Sequence, residues 1–357
     1  METSHLHLIS KNQEVRNLVA PIAKQHGYHL QQSSDLQHAL AAMANVSPQL
    51  TIIDKDQLQQ KETEVLIRLL RSEFCCQFLL IQQQQNQSLS LIGDELNRYL
   101  EKAIHARQSL STSQLREALL KDQLQLHYQP KICLESQQVL GAEVLLRWDH
   151  PKLGMLPAAQ IITLAQQADM ATDLDRWVLQ HTCKQFARWH RRYPSLTLAV
   201  NLESSSLLRG DFIHFLQDAM HNNQLLPQQL TLEIPATILE NLALYETSLT
   251  QLASAGFKIT LDNFAAMAID LPTLAKLPIN ELKIDREYLL GMGQLPNSKK
   301  IIRAIVGLAH GMNLKVSAAA LETAAHWEFL TEIGCDYGQG FYISRPVTAE
   351  EISKWFS

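Results

Sequence analysis

Three carboxylates and one amide are the residues best placed to do chemistry, because each stands in or just after a short apolar run. Glu143 lies within residues 141–148, where Val144, Leu145 and Leu146 follow one another as in a strand covered on both faces. Asn201 follows Leu198-Ala199-Val200, Glu233 follows Leu230-Thr231-Leu232, and Asp262 follows Ile259-Thr260-Leu261. A buried acid is costly unless it is paired or holds a metal. Taken alone, Glu143 reads as a structural acid with an arginine partner. The set of four points elsewhere: all offer oxygen ligands, which suits Mg²⁺ or Ca²⁺ and argues against zinc.

Strands alternating with helices must position these groups, and that rhythm gives a parallel sheet. About 230 residues suffice for a closed eight-stranded barrel, whose active site gathers at the C-terminal strand ends. Residues 124–132 and 139–148 predict a hairpin around Glu135-Ser136-Gln137-Gln138. Helices are predicted over 158–169 and 174–191. The remaining strands fall at 196–201, 229–234, 257–262, 280–284, 314–318 and 336–341.

Glu143-Val144-Leu145 with Leu146-Arg147-Trp148 resembles the signature of the EAL domains, the cyclic di-GMP phosphodiesterases. Further motifs carry the resemblance over roughly 121–357. They are Tyr128-Gln129-Pro130, 174–179, Asn201-Leu202, Leu232-Glu233-Ile234, Leu261-Asp262, Leu282-Lys283-Ile284-Asp285, Leu321-Glu322-Thr323 and 335–341. The resemblance implies a modified (β/α)8 barrel of TIM type with an antiparallel first strand. It assigns a Mg²⁺ or Mn²⁺ to Glu143, Asn201, Glu233 and Asp262, and places Lys283 beside the nucleophilic water, with Glu322 and Gln339 also in the site. Gln129, Val144, Leu145, Arg147, Asp175, Asn201, Asp285 and Gln339 would contact the nucleotide, Asp175 on a guanine edge and Arg147 on a phosphate oxygen. The plain alternatives are a rim salt bridge for Arg147 and a first-turn helix acid for Asp175.

The chain departs from the family around a second metal. Asn263 stands where a second tandem aspartate is expected, Ala236 and Ala319 stand where glutamates are expected, and Phe264-Ala265-Ala266-Met267 replaces a glycine-bearing loop. Ala320 likewise replaces a glycine. One metal site therefore reads as intact and the second as lost. The expected function is a signalling protein that binds cyclic di-GMP with little or no hydrolysis and passes that state to a protein partner. The alternatives are an active Mg²⁺- or Mn²⁺-dependent phosphodiesterase and an interaction scaffold that binds no nucleotide. A homodimer through the stretch after Asp262 is a further expectation of the resemblance.

Residues 1–105 also alternate strand and helix and resemble a response-regulator receiver domain of the flavodoxin-like kind. Asp54 falls at the phospho-acceptor and Lys102 at the family's lysine. The acidic pair that would hold Mg²⁺ is replaced by Ser10, Lys11 and Asn12, so Asp54 is not expected to accept a phosphoryl group; the plain reading pairs it with Lys102 or Lys55. Residues 106–120, rich in Ser and Thr before a short helical pattern, read as a linker.

Composition excludes several classes. Hydrophobic content is 46%, charged content 19% and formal net charge −5, with no basic run, so a nucleic-acid polymer is not an expected partner. No signal peptide or membrane span is predicted. The five cysteines are odd in number and scattered, with Cys75-Cys76 adjacent. That pattern reads as reduced thiols in a cytoplasmic protein.

Overall fold

A computed structural model gives the fold. It describes residues 4–35, 38–39, 42, 50–54, 77–81, 96, 110–121, 123–151, 153–264, 271–293 and 297–356. The chain forms two compact units, residues 1–116 with 149–157, and residues 117–148 with 158–357.

In the first unit, β1 (Ser4–Ile9), β2 (Tyr28–Ser33), β3 (Leu50–Asp54) and β4 (Gln77–Ile81) form a parallel sheet in the order β2-β1-β3-β4. This order agrees with a flavodoxin-like, receiver-like unit. The helix Gln13–Gln25 starts at Asn12, whose side chain accepts the Glu14 amide, and buries Val15, Val19, Ile22 and Ala23 along one face. These meet Leu6, Leu8, Leu50 and Ile52 in a shared core. Asp54 ends β3 and is buried; its Oδ2 accepts a 2.6 Å hydrogen bond from the Ser10 hydroxyl. Lys55, Lys102, Cys75, Cys76, residues 82–85 and the expected helix after Asp54 lie outside the described residues.

In the second unit eight strands close into a barrel. β5 (Leu124–Cys133) and β6 (Val139–His150) form the expected antiparallel hairpin. After β7 (Gly154–Pro157), whose residues are grouped with the first unit, come β8 (Thr197–Asn201), β9 (Leu230–Pro235), β10 (Lys258–Phe264), β11 (Glu281–Ile284), β12 (Lys315–Ala318) and β13 (Tyr337–Gly338). From β6 through β8 to β13 the barrel strands pair in parallel, and β5 closes the ring antiparallel to both β6 and β13. Helices with one apolar face flank the strands; Ser298–Gly311 buries Ile302, Ile305, Val306 and Ala309 at helical spacing.

The last strand is two residues long, where sequence predicts 336–341. Gln339 N still donates to Ala318 O at 3.0 Å, and beyond it Gly340 lies against the Leu321 backbone: a Cβ on Gly340 would stand 2.2 Å from the Leu321 nitrogen. Leu321 N in turn donates to Gln339 O at 3.0 Å. The glycine after Gln339 is thus a packing requirement that fixes where Gln339 enters the barrel. Ala320 adopts φ 60°, a left-handed conformation that glycine takes without strain.

Candidate functional site

Parallel strands send their C-terminal ends to one mouth of the barrel, and alternate side chains point inward. Glu143 on β6, Asn201 on β8, Glu233 on β9, Asp262 on β10 and Lys283 on β11 meet there. Lys283 is the hub: its Nζ lies 2.6 Å from Glu233 Oε2, 3.1 Å from Glu143 Oε2 and 3.6 Å from Asp262 Oδ1. The partner of Glu143 is therefore a lysine two strands beyond β9, not the arginine its strand alone suggests. Asn201 Nδ2 donates to Glu143 Oε1 at 2.7 Å, and Gln339 Nε2 donates to Glu143 Oε2 at 2.5 Å and to Gln129 Oε1 at 2.8 Å. Gln129 lies directly opposite Glu143 in the β5–β6 register, and its own Nε2 reaches Ser344 O at 3.0 Å.

The electrostatics separate the three acids. Burial opposes charge on Glu143, but the Lys283 ammonium and the hydrogen bonds from Asn201 and Gln339 bring its carboxyl down to about 2. Glu233 is pushed well above the usual carboxylate range, first by burial and then by the neighbouring Glu143 charge. Burial likewise raises Asp262 against the pull of Lys283. Lys283 is held well above its ordinary value because three acids outweigh its own burial. Glu143 accepts from Asn201 and Gln339 and faces Lys283, whereas buried Glu233 meets Lys283 through Oε2 and its Oε1 has no hydrogen-bond partner among the described residues.

That orphaned oxygen tests the fit of a metal. Three carboxylates facing one ammonium carry excess negative charge when ionised, and a buried carboxylate oxygen lacks a partner. A hard divalent cation with oxygen ligands suits such a donor set. Among the described residues no group of three or more His, Cys, Asp or Glu side chains is disposed around a vacant centre; Lys283 fills the middle of this one.

A cavity of about 390 Å³ opens beside the acids, and Glu143, Val144, Leu145, Asp175, Asn201 and Asn263 help to line it. Asn263 adopts φ 54° and its Nδ2 donates to Asp262 Oδ2 at 3.3 Å. Asp175 is buried in the helix Ala171–His190, past its first turn; Asp173 holds the first-turn position. Its Oδ2 accepts from Ser206 Oγ at 2.6 Å and from Glu203 N at 3.0 Å, and burial pushes its carboxyl up to about 7.

Other expected site residues stand apart from that lining. Arg147 turns its Nη1 to Leu146 O at 2.8 Å. Asp285 caps the helix Arg286–Leu290 by accepting the Glu287 amide at 2.9 Å. Glu322 is half-buried, and burial raises its carboxyl against the nearby Arg286. Ala236 is buried, and Ala319 precedes the left-handed Ala320. Residues 265–270, including the altered Ala265-Ala266-Met267, lie outside the described residues. Sequence reading missed Glu203, which also lines the cavity and accepts from Gln166 at 2.8 Å. Its signal was its place two residues past Asn201. Leu174 and Val178 line the cavity beside Asp175, and their i, i+4 spacing was the available clue.

A closed barrel with an antiparallel first strand and a carboxylate–lysine centre at its C-terminal mouth defines the class. Residues 112–346 match the family model described as EAL domain, and the chain belongs to the EAL-domain family. It is 35% identical over 240 residues to the bifunctional diguanylate cyclase/cyclic di-GMP phosphodiesterase MucR of Pseudomonas aeruginosa, covering 67% of this chain and 35% of that protein. It is 32% identical over 262 residues to the signaling protein YkoW of Bacillus subtilis, covering 72% and 33%. The chain thus spans about a third of the length of these curated relatives. Among solved structures, the MucR phosphodiesterase in complex with c-di-GMP superposes with a TM-score of 0.65 at 34% identity, covering 67% of this chain and 97% of that one. The EAL domain of FimX from P. aeruginosa, bound to c-di-GMP, gives 0.60 at 25% identity, covering 65% and 94%. Among the described residues no helix is long and apolar enough to cross a membrane.

The central lysine makes a direct prediction. Lys283→Ala leaves its carboxylates without that ammonium, and breaking such a buried pair costs about 3–5 kcal/mol. Denaturant unfolding in EDTA should show this loss, and millimolar Mg²⁺ or Mn²⁺ should recover part of it. A variant as stable as the parent in EDTA would show that Lys283 does not hold the three acids together.

Proposed function

We propose that this chain is a cyclic di-GMP receptor of the EAL type that binds the dinucleotide at the C-terminal mouth of its barrel and hydrolyses it little or not at all. The observation that carries the reading is Asn263. At the cavity wall where a second acidic ligand is expected, an amide nitrogen donates to Asp262. The alanines at 236 and 319 offer no ligand atom in place of the expected acids. The c-di-GMP bound to the related MucR and FimX structures supports the choice of ligand.

Within the cavity, Val144 and Leu145 offer apolar surface and Asp175 a carboxyl group for a guanine edge. Glu143, Asn201, Glu233 and Asp262 would hold one Mg²⁺ or Mn²⁺. Such an ion supplies charge neutralisation at a phosphate oxygen, whereas a pair of ions is needed to clamp both entering and leaving oxygens. Lys283 holds its proton firmly among the acids, which suits it to neutralise charge and not to take a proton from water. The bound state is passed to a protein partner in a signalling pathway.

The intact Glu143–Glu233–Asp262–Lys283 cluster favours the second reading, an active phosphodiesterase. Formation of the linear dinucleotide with Mg²⁺ or Mn²⁺ separates the two. The unmodified protein should turn over far below about 1 s⁻¹, the low end of ordinary enzyme rates. Asn263→Asp with Ala319→Glu should raise the rate more than the two single changes combined, since groups that act as a unit are non-additive. Turnover of about 1 s⁻¹ or more by the unmodified protein would overturn the receptor reading.

The receiver-like unit is proposed to work without phosphorylation. Asp54 is buried and bonded to Ser10, and Ser10-Lys11-Asn12 lacks the acids that bring Mg²⁺ to such a site. Incubation with acetyl phosphate and Mg²⁺ should leave the intact mass unchanged. A stoichiometric phosphoryl adduct on Asp54 would refute this part of the proposal.

A further inference from the structure

The barrel has a second cavity, at the mouth opposite the carboxylates. Its volume is about 420 Å³, and it shares no lining residue with the upper cavity. Barrels of this kind are usually filled by layers of bulky branched side chains. Here Ala199, Thr231 and Thr260 line the space instead, so it stays open. At about 30 Å³ per water it has room for roughly a dozen waters, or for a hydrated ion.

The wall is basic. Lys131, Lys258, Lys315 and Glu281 are its charged members, three positive against one negative. Glu281 is already committed: Lys131 Nζ lies 2.5 Å from its Oε1, and Ser317 Oγ donates to the same oxygen at 2.5 Å. Lys315 Nζ bonds Asp336 Oδ1 at 2.6 Å, leaving further donors on the ammonium. Lys258 is exposed and makes no ion pair among the described residues.

A buried orphan points to a ligand. Thr260 is completely buried, and its Oγ1 has no hydrogen-bond partner among the described residues. An unmet buried hydroxyl is costly and calls for water or a bound group. Lys258 and Thr260 are two apart on β10, so their side chains share a face about 6.6–6.8 Å apart. Lys315 is level with Thr260 through the register Thr260↔Glu281↔Lys315. Lys258, Lys315 and Thr260 thus line one space.

We propose that this lower cavity binds a small oxyanion, with Lys258 and Lys315 supplying the charge and the Thr260 hydroxyl a neutral hydrogen bond. A phosphate and a short dicarboxylate share that chemistry, and titration with each tells them apart.

The test titrates the full chain with inorganic phosphate, and separately with malonate, by calorimetry. EDTA is present throughout, and chloride at matched ionic strength is the control. One saturable site per chain is expected for at least one of the two, with Kd of about 1 mM or tighter. Lys258→Ala with Lys315→Ala should weaken it at least about tenfold, the effect of losing charge-assisted contacts. Thr260→Val keeps the shape of the side chain and should weaken it severalfold, while circular dichroism confirms the fold of each variant. No saturable binding of either anion, which would leave the cavity to water, overturns the proposal. So does binding that survives both sets of substitutions, which would place the anion elsewhere on the molecule.

Discussion

The upper barrel depends on one ammonium group. Lys283 stands within 4 Å of three carboxylates, on β6, β9 and β10, and ties them to β11. Three acids cannot be ionised together in a water-poor barrel mouth without a cation. The lysine supplies one positive charge shared among them, its shortest contact being 2.6 Å to Glu233 Oε2; with Asn201 and Gln339 it draws the Glu143 carboxyl down, while burial and the Glu143 charge raise Glu233. The same arrangement links the ends of four strands through one side chain.

Everything around that centre is placed by the fold. Gln339 reaches Glu143 because Gly340 lets the chain pass flush against Leu321. Asp175 reaches the cavity from a helix and is held by the Ser206 hydroxyl and the Glu203 amide that follow β8. The apolar side of the cavity, from Val144 to Leu174 and Val178, meets this polar floor, the usual make-up of a small-molecule pocket. Asn263 adds an amide to that floor, its Nδ2 donating to Asp262 Oδ2 at 3.3 Å.

Much of this was legible in the sequence. Short apolar runs ending in Glu143, Asn201, Glu233 and Asp262 are a pattern with one economical solution, a parallel barrel with those groups at one mouth. The hairpin at 124–148 could be read from two apolar runs flanking Glu135-Ser136-Gln137-Gln138. What could not be read was that Lys283, placed in the site by the resemblance, pairs with three acids at once. Lys283 follows an apolar residue like many lysines, and only strand order brings β11 level with β6 and β9. The close approach of Gly340 to Leu321, just past the end of β13, was equally hidden, since it is a contact between distant parts of the chain. Arg147 Nη1 bonds Leu146 O and Asp285 accepts the Glu287 amide, contacts that a motif does not reveal. The lower cavity arises from small residues on several strands, a pattern that no single strand displays.

The central claim is that the barrel mouth binds cyclic di-GMP without efficiently cleaving it. Calorimetric titration of the full chain with cyclic di-GMP, first in EDTA and then with Mg²⁺ or Mn²⁺, tests it most directly when the ligand is recovered afterwards and its form determined. The account predicts one saturable site per chain under at least one of these conditions, with the cyclic dinucleotide recovered intact. Absence of binding in every condition, or recovery of the ligand chiefly as the linear product, would contradict it.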